Sequence, residues 1–260
     1  MASKPDHATP TLASRVALVT GSSRGIGEAI ALALAEAGAA VAVNYKSRAA
    51  DADAVRDRIR ALGRRSIAVA ADVSIAAQVQ RLVTEVHAAL GPIDILVNNA
   101  GMTKRMPFTE FPEADWRQIM ATNLDSVFFV TQSVARRMIS RSRGKIVNIC
   151  SVMSELGRPT IAPYTASKGA VKMLTKAMCA EFAKHGITAN GISPGYFGTE
   201  LNQALMADEK FSAWVCARTP AGRWGKVEEL QGAAIFLASD ASSFVNGHIL
   251  FVDGGMTAVV

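Results

Sequence analysis

The chain has 260 residues, 50% hydrophobic and 19% charged, with aromatics at only 6%. That length can bury a substantial core, and the composition excludes a disordered tail, a collagen or a mucin. Lys and Arg total 28 against 22 Asp and Glu, a formal +6, but the only basic run (Arg136, Arg137, Arg141, Arg143, Lys145) has no aromatic stacking platform, so a solvated helix end is favoured over nucleic-acid binding.

Residues 15–20 (RVALVT) predict a buried strand, and residues 25–38 an Ala/Leu-rich helix with Gly38 as its C-terminal cap. Residues 40–44 predict a second strand, 50–62 an amphipathic helix ending at Gly63, 66–70 a third strand and 75–90 a helix. Gly91-Pro92 breaks the chain before a fourth strand at 93–97. A long helix over 115–139, a strand over 145–149, a long helix over 164–185 and a strand over 187–193 follow. Residues 199–223 are less regular. Residues 227–238 predict a helix and 249–252 a last strand before Asp253-Gly254-Gly255. Repeated βα units without a linker or repeat imply a parallel sheet with helices on both faces, which binds ligands at the carboxyl ends of its strands.

No apolar run approaches the roughly 18 residues of a membrane span; residues 29–43 come nearest and are broken by Glu36 and Gly38. The start, with Lys4, Pro5, Asp6 and His7, has no signal-peptide core. Cys150, Cys179 and Cys216 are odd in number and far apart, which predicts a reducing, cytoplasmic setting. His7, His87, His185 and His248 form no zinc-type pair, so no metal site is expected.

Directly after the first strand comes Thr20-Gly21-Ser22-Ser23-Arg24-Gly25-Ile26-Gly27, then a helix. Glycines permit a tight turn and close backbone approach, and a helix N-terminus attracts a pyrophosphate. With Asn98-Asn99-Ala100-Gly101 after the fourth strand, Tyr164-x-x-x-Lys168, Pro194-Gly195 after the sixth strand, and Ser151 before Tyr164, this pattern resembles the short-chain dehydrogenase/reductase superfamily. The resemblance implies an α/β fold: one Rossmann-like, doubly wound parallel sheet of about seven strands over residues 12–260, preceded by a flexible segment, 1–11. It also implies a homotetramer. It places an adenine contact at Asp72 and Val73, a central cofactor loop at Asn99, Ala100 and Gly101, and further cofactor contacts at Pro194, Gly195, Phe197 and Thr199.

Dinucleotide sites that prefer NAD end the second strand with an acid that binds the ribose. Here the strand ends Asn44-Tyr45-Lys46, and Tyr45 stands where the acid is expected. No carboxylate would repel a 2′-phosphate there, while Arg24 and Lys46 could pair with it. NADP(H) is therefore favoured, with NAD(H) as the alternative.

Hydride transfer to a ketone needs a proton for the developing alkoxide. Tyr164 and Lys168 share a helix face, and a cation there favours tyrosinate; bringing the phenol toward neutrality needs roughly 3–4 kcal/mol. Ser151 can hydrogen-bond the substrate oxygen. The resemblance makes Asn123 the fourth catalytic residue, supporting a water in the proton relay from Lys168.

Several stretches resemble more narrowly the gluconate 5-dehydrogenase group: residues 104–112, 148–151, 154–158, 194–197 and much of 218–255. That implies a small keto-aldonate substrate, D-gluconate interconverting with 5-keto-D-gluconate, and a protein without membrane or nucleic-acid partners. Arg105 and Arg158 have the planar fork that suits a carboxylate, with Lys104 as a third candidate. Glu155 could accept bonds from sugar hydroxyls. Met153 and Tyr196 would line the pocket beside Ser151 and Tyr164. Residues 199–223 would close over the substrate, with Phe211 and Trp214 packing on the body or on a neighbouring subunit. The alternatives are a 3-oxoacyl-carrier-protein reductase, another sugar or polyol dehydrogenase, and a non-catalytic NADPH-binding sensor.

Overall fold

Seven short aliphatic strands carry the architecture: β1 (Val16–Val19), β2 (Ala40–Tyr45), β3 (Ser66–Ala70), β4 (Ile95–Asn98), β5 (Gly144–Ile149), β6 (Ile187–Pro194) and β7 (Ile249–Val252). They form one parallel sheet, as the alternating pattern predicts, and its strand order is β3-β2-β1-β4-β5-β6-β7. The computed structural model describes residues 11–260. The expected N-terminal segment, 1–11, lies outside them except for its last residue.

Helices α1 (Gly25–Glu36), α2 (Ala49–Ala61), α3 (Ala76–Leu90), α4 (Glu113–Met120), α5 (Ser126–Ile139), α6 (Ala162–Phe182), α7 (Gln203–Met206), α8 (Glu209–Arg218) and α9 (Gln231–Ala238) complete the chain. One face of the sheet packs Ala17, Val19, Ile95 and Val147 against Ile30, Leu34, Val55, Ile59 and Leu237. The other packs Leu18, Leu96, Ile146 and Ala189 against Leu82, Val83, Val130, Val134 and Met178. Alternate strand residues thus serve opposite cores. Burying each large aliphatic side chain contributes about 1.5–3 kcal/mol. Among the described residues no helix is long and apolar enough to cross a membrane.

Chain direction across the sheet reverses between β1 and β4, and a crevice opens there at the carboxyl ends of the strands. Four local features differ from the expectation. The helix over 115–139 is α4 and α5 joined by a π-helical turn, Ala121–Asp125, which buries Asn123. Helix α6 begins two residues before Tyr164, because Pro163 suits a first helical turn. Residues 199–223, read as irregular, contain α7 and α8. The helix expected over 227–238 opens with a 3-10 turn, Val227–Leu230.

The basic run is only partly a solvated helix end. Arg136 and Arg137 are exposed, but Arg141 pairs with Asp94 at 2.9 Å and donates to the Ile93 carbonyl. Burial lowers the pKa of Lys145, and its ammonium reaches Ser242 Oγ at 3.4 Å.

Candidate active site

Gly21 and Gly25 have φ of +60° and +58°, the left-handed region that favours glycine. A side chain at Gly27 would meet the Asn99 amide and the Gly21 carbonyl at 2.5 Å, whereas one at Gly25 would meet nothing within 4 Å. Two glycines therefore set the turn, one admits the β4 loop, and Gly25 faces open space. Arg24, in extended conformation at the N-cap of α1, makes no side-chain capping bond, so the first-turn amides keep free donors.

Two asparagines brace this turn from below. Asn44 is buried; its Oδ1 accepts from Gly21 N–H at 3.2 Å and its amide donates to the Val69 and Ala71 carbonyls. Its side chain is thereby spent on structure, so a ligand meets it as a wall. Asn99 donates to the Thr20 and Gly21 carbonyls at 3.0 and 2.9 Å, and Thr20 Oγ1 accepts from the Asn99 and Ala100 amides.

Of the candidate residues, all but Asn123, Lys104 and Glu155 line one cleft of about 450 Å³. Asn123 stands directly behind its wall: Oδ1 accepts from Met102 N–H at 2.8 Å, and the amide donates to the Met102 carbonyl at 2.9 Å and to Ser167 Oγ at 3.1 Å. A Cβ built on Gly101 would lie 3.5 Å from Asn123 Oδ1 and 3.8 Å from Lys168 Nζ, so all three crowd one point.

At the outer end of the crevice, Arg24 pairs with Glu200 at 2.5 Å and Lys46 with Asp72 at 2.6 Å. Burial works to raise the pKa of Asp72, but the Lys46 ammonium and the Ser74 hydroxyl outweigh it and hold the carboxyl below its usual range. Sequence reasoning did not include Glu200, Asn202 or Leu205, which also line the cleft. The signal for Glu200 was present: an acid directly after Thr199, facing a cationic turn. Only the tertiary contact identifies its partner.

At the inner end, Ser151 follows β5 and caps a short turn, with Oγ accepting from Met153 N–H at 3.1 Å. Ser193 Oγ donates to the Ser151 carbonyl at 3.0 Å, and Ser154 Oγ donates to the Lys168 carbonyl at 3.0 Å. These bonds tie β5, β6 and α6 together around Ser151. Burial pushes the Tyr164 phenol up, opposed by the Ser151 hydroxyl beside it. The Lys168 ammonium donates to the Ile149 carbonyl at 2.6 Å and lies 5.7 Å from the centre of the Tyr164 ring. Burial lowers the pKa of Lys168 to about 8. The expectation that Lys168 pulls the phenol down is thus not met within the chain itself, because desolvation dominates both groups. The neighbouring Cys150 thiol, pushed up to about 11 by burial, is no nucleophile.

On the open side, Met153 packs in a small apolar cluster with Val152, Ile161 and Met256, and Tyr164 and Tyr196 lie against it. Arg105 and Arg158 line the same cleft, and neither has a carboxylate within ion-pair distance among the described residues. Burial and the neighbouring Arg158 lower the pKa of Arg105. Two other expectations are corrected. Lys104 pairs with Asp115 at 2.5 Å and Glu155 pairs with Lys172, so both turn their charge away from the cleft. Phe211 and Trp214 pack on the body of the same chain, edge-on to Tyr196 at 5.7 and 6.0 Å between ring centres.

Comparison with known proteins fits this geometry. A family model described as enoyl-(acyl carrier protein) reductase matches residues 21–257. The chain is 51% identical over 250 residues to 5-keto-D-gluconate 5-reductase of Escherichia coli, covering 96% of this chain and 98% of that protein. It is 54% identical over 247 residues to gluconate 5-dehydrogenase of Gluconobacter oxydans, covering 95% and 96%. A crystal structure of a gluconate 5-dehydrogenase from Burkholderia cenocepacia, in complex with NADP and tartrate, superposes with a TM-score of 0.93 at 58% identity, covering 96% and 98%. The chain is therefore a member of the short-chain dehydrogenase/reductase family, an oxidoreductase acting on a CH–OH group.

Proposed function

We propose that the chain is an NADP-dependent oxidoreductase interconverting D-gluconate and 5-keto-D-gluconate. The observation that carries the reading is the pairing of Ser151, Tyr164 and Lys168 with two cleft arginines that lack internal counterions. The names of the relatives support the substrate, and the Burkholderia complex supports the cofactor.

The cleft fits a phosphorylated dinucleotide. The uncapped α1 N-terminus and open Gly25 suit a pyrophosphate. Arg24 and Lys46, with Tyr45 in place of an acid, suit a 2′-phosphate. Asp72 and Val73 would border the adenine, and Asn99, Ala100, Gly101, Pro194, Gly195, Phe197 and Thr199 would border the remainder. When bound, the nicotinamide supplies or accepts the hydride.

The protein's share of the reaction is the proton and the field. In reduction, the Tyr164 hydroxyl gives its proton to the substrate oxygen as the carbon gains the hydride. Oxidation reverses both transfers. Burial raises the pKa of Tyr164 further and so favours its protonated form, the form a general acid requires. Ser151 orients the reacting oxygen. Lys168 supplies positive charge beneath the phenol and a donor for a ribose. Asn123 fixes the Met102 backbone and supports the proton path toward Lys168. Arg105 and Arg158 hold the carboxylate, with Met153 and Tyr196 as walls. Residues 199–223 cover the bound substrate.

The three cysteines are free, which supports a reducing cytoplasmic setting. Exposed Phe128 on α5 and Met173 on α6 offer apolar surface for a homotetramer, measurable by light scattering.

The test follows NADPH loss at 340 nm with 5-keto-D-gluconate, acetoacetyl thioester or no substrate, with NADH in a second series. Selective turnover of the keto acid with NADPH supports the reading. Turnover of the thioester alone would replace it with acyl reduction, and cofactor binding without turnover would replace it with a sensor.

A further inference from the structure

Arg158 projects from the loop between the Ser151 turn and α6, and its Nε is buried without a hydrogen-bond partner. Its guanidinium lies over the ring of Phe211, 4.9 Å from the ring centre. A guanidinium held over an aromatic ring keeps its in-plane donors available for the two oxygens of a carboxylate.

Phe211 itself has little freedom. Its ring centre lies 5.4 Å from that of Trp214 and 6.5 Å from that of Trp224, and Tyr196 lies edge-on at 5.7 Å. Trp224 Nε1 donates to Ser212 Oγ at 2.9 Å. The Phe211 amide donates to Asp208, the N-cap of α8, at 3.1 Å. The ring under Arg158 is therefore anchored through both side chain and backbone. Arg105 is held alongside, because Met106 N–H donates to the Thr160 carbonyl at 2.9 Å and so joins the segment bearing Arg105 to the loop bearing Arg158. Two like charges are thus brought near one another, and a bound anion would relieve their repulsion.

We propose that Phe211, which does not itself line the cleft, is a positioning residue: it presents Arg158 to the carboxylate of the substrate and so couples residues 199–223 to selection of acids over neutral sugars. This rests on the sugar-acid reading above. Without the ring, Arg158 regains rotamer freedom that binding must again remove, while hydride and proton transfer are untouched.

The experiment measures kcat and KM for 5-keto-D-gluconate and for the neutral ketose D-fructose, with the NADPH Kd, in Phe211→Leu, Phe211→Met and Phe211→Tyr. Leu and Met keep apolar bulk without an aromatic face, and Tyr keeps the face. The expected result is a KM for the keto acid raised about ten-fold in the Leu and Met variants. Their kcat and NADPH Kd hold within about twofold, kcat/KM for the ketose is unchanged, and Tyr restores the wild-type value. An unchanged KM, or kcat and NADPH affinity falling together with it, overturns the proposal. Wild-type protein as active on the ketose as on the keto acid would strike the sugar-acid reading itself, and the proposal with it. Should one variant fail to fold, the other decides the matter.

Discussion

The two ends of the cleft treat positive charge in opposite ways. At the outer end, Arg24 and Lys46 are already matched by Glu200 and Asp72. At the inner end, Arg105 and Arg158 share space without a carboxylate among the described residues. A phosphate arriving outside would compete with these internal acids, so its gain would be only the difference between two ion pairs. A carboxylate arriving inside would meet two arginines without an internal acid competing for them among the described residues. On the proposed reading, positive charge would therefore contribute modestly at the outer end and strongly at the inner one.

Breaking the junction between the two ends should have the largest effect. Tyr164→Phe removes the proton donor and leaves both ends intact, so turnover should fall about 10³-fold while NADPH still quenches tryptophan fluorescence as in wild type. Arg105→Ala tests the inner end. It should lower kcat/KM for the keto acid about 30- to 100-fold, the loss of a charged hydrogen bond, without changing the NADPH Kd; a shift in that Kd instead would erase the distinction between the ends.

Lys168 is a third cleft cation without a carboxylate partner among the described residues, and a buried one. Its folded pKa, about 8, lies below the ordinary 10.5. Between those values the unfolded chain holds the extra proton, so this group's contribution to stability improves as pH rises through that window and is least favourable below it. Lys168→Met should abolish most activity and yet stabilise the fold at pH 7 by about 1–3 kcal/mol, or about 2–4 °C in Tm for each kcal/mol. The gain should shrink when calorimetry is repeated near pH 10. The smallest effect belongs to the outer end: Glu200→Gln frees Arg24 and should tighten NADPH binding only about two- to fivefold, read by titration at low salt.

Much of this was legible along the chain. The strands read as aliphatic runs because both faces of a parallel sheet are buried, and the glycine turn read correctly because its backbone geometry is local. What could not be read was who pairs with whom. Lys104 and Glu155 looked like pocket residues and are held by Asp115 and Lys172. Asn44, expected as a cofactor contact, lines the cleft and also braces the glycine turn, a second role that no local pattern announces. The π-helical turn that buries Asn123 was not legible, since its five residues are too few to show a period of their own.

The sequence by itself determined the order of elements, the glycine turn, and the spacing that puts Tyr164 and Lys168 on one helix face, because periodicity and backbone conformation are decided within a few residues. Only the tertiary structure decided which cations remain without counterions and how burial shifts Tyr164 and Lys168. Only it, too, brought Phe211 beneath Arg158. Desolvation and ion pairing depend on what lies a few ångströms away in space, and residues distant in the chain supply it.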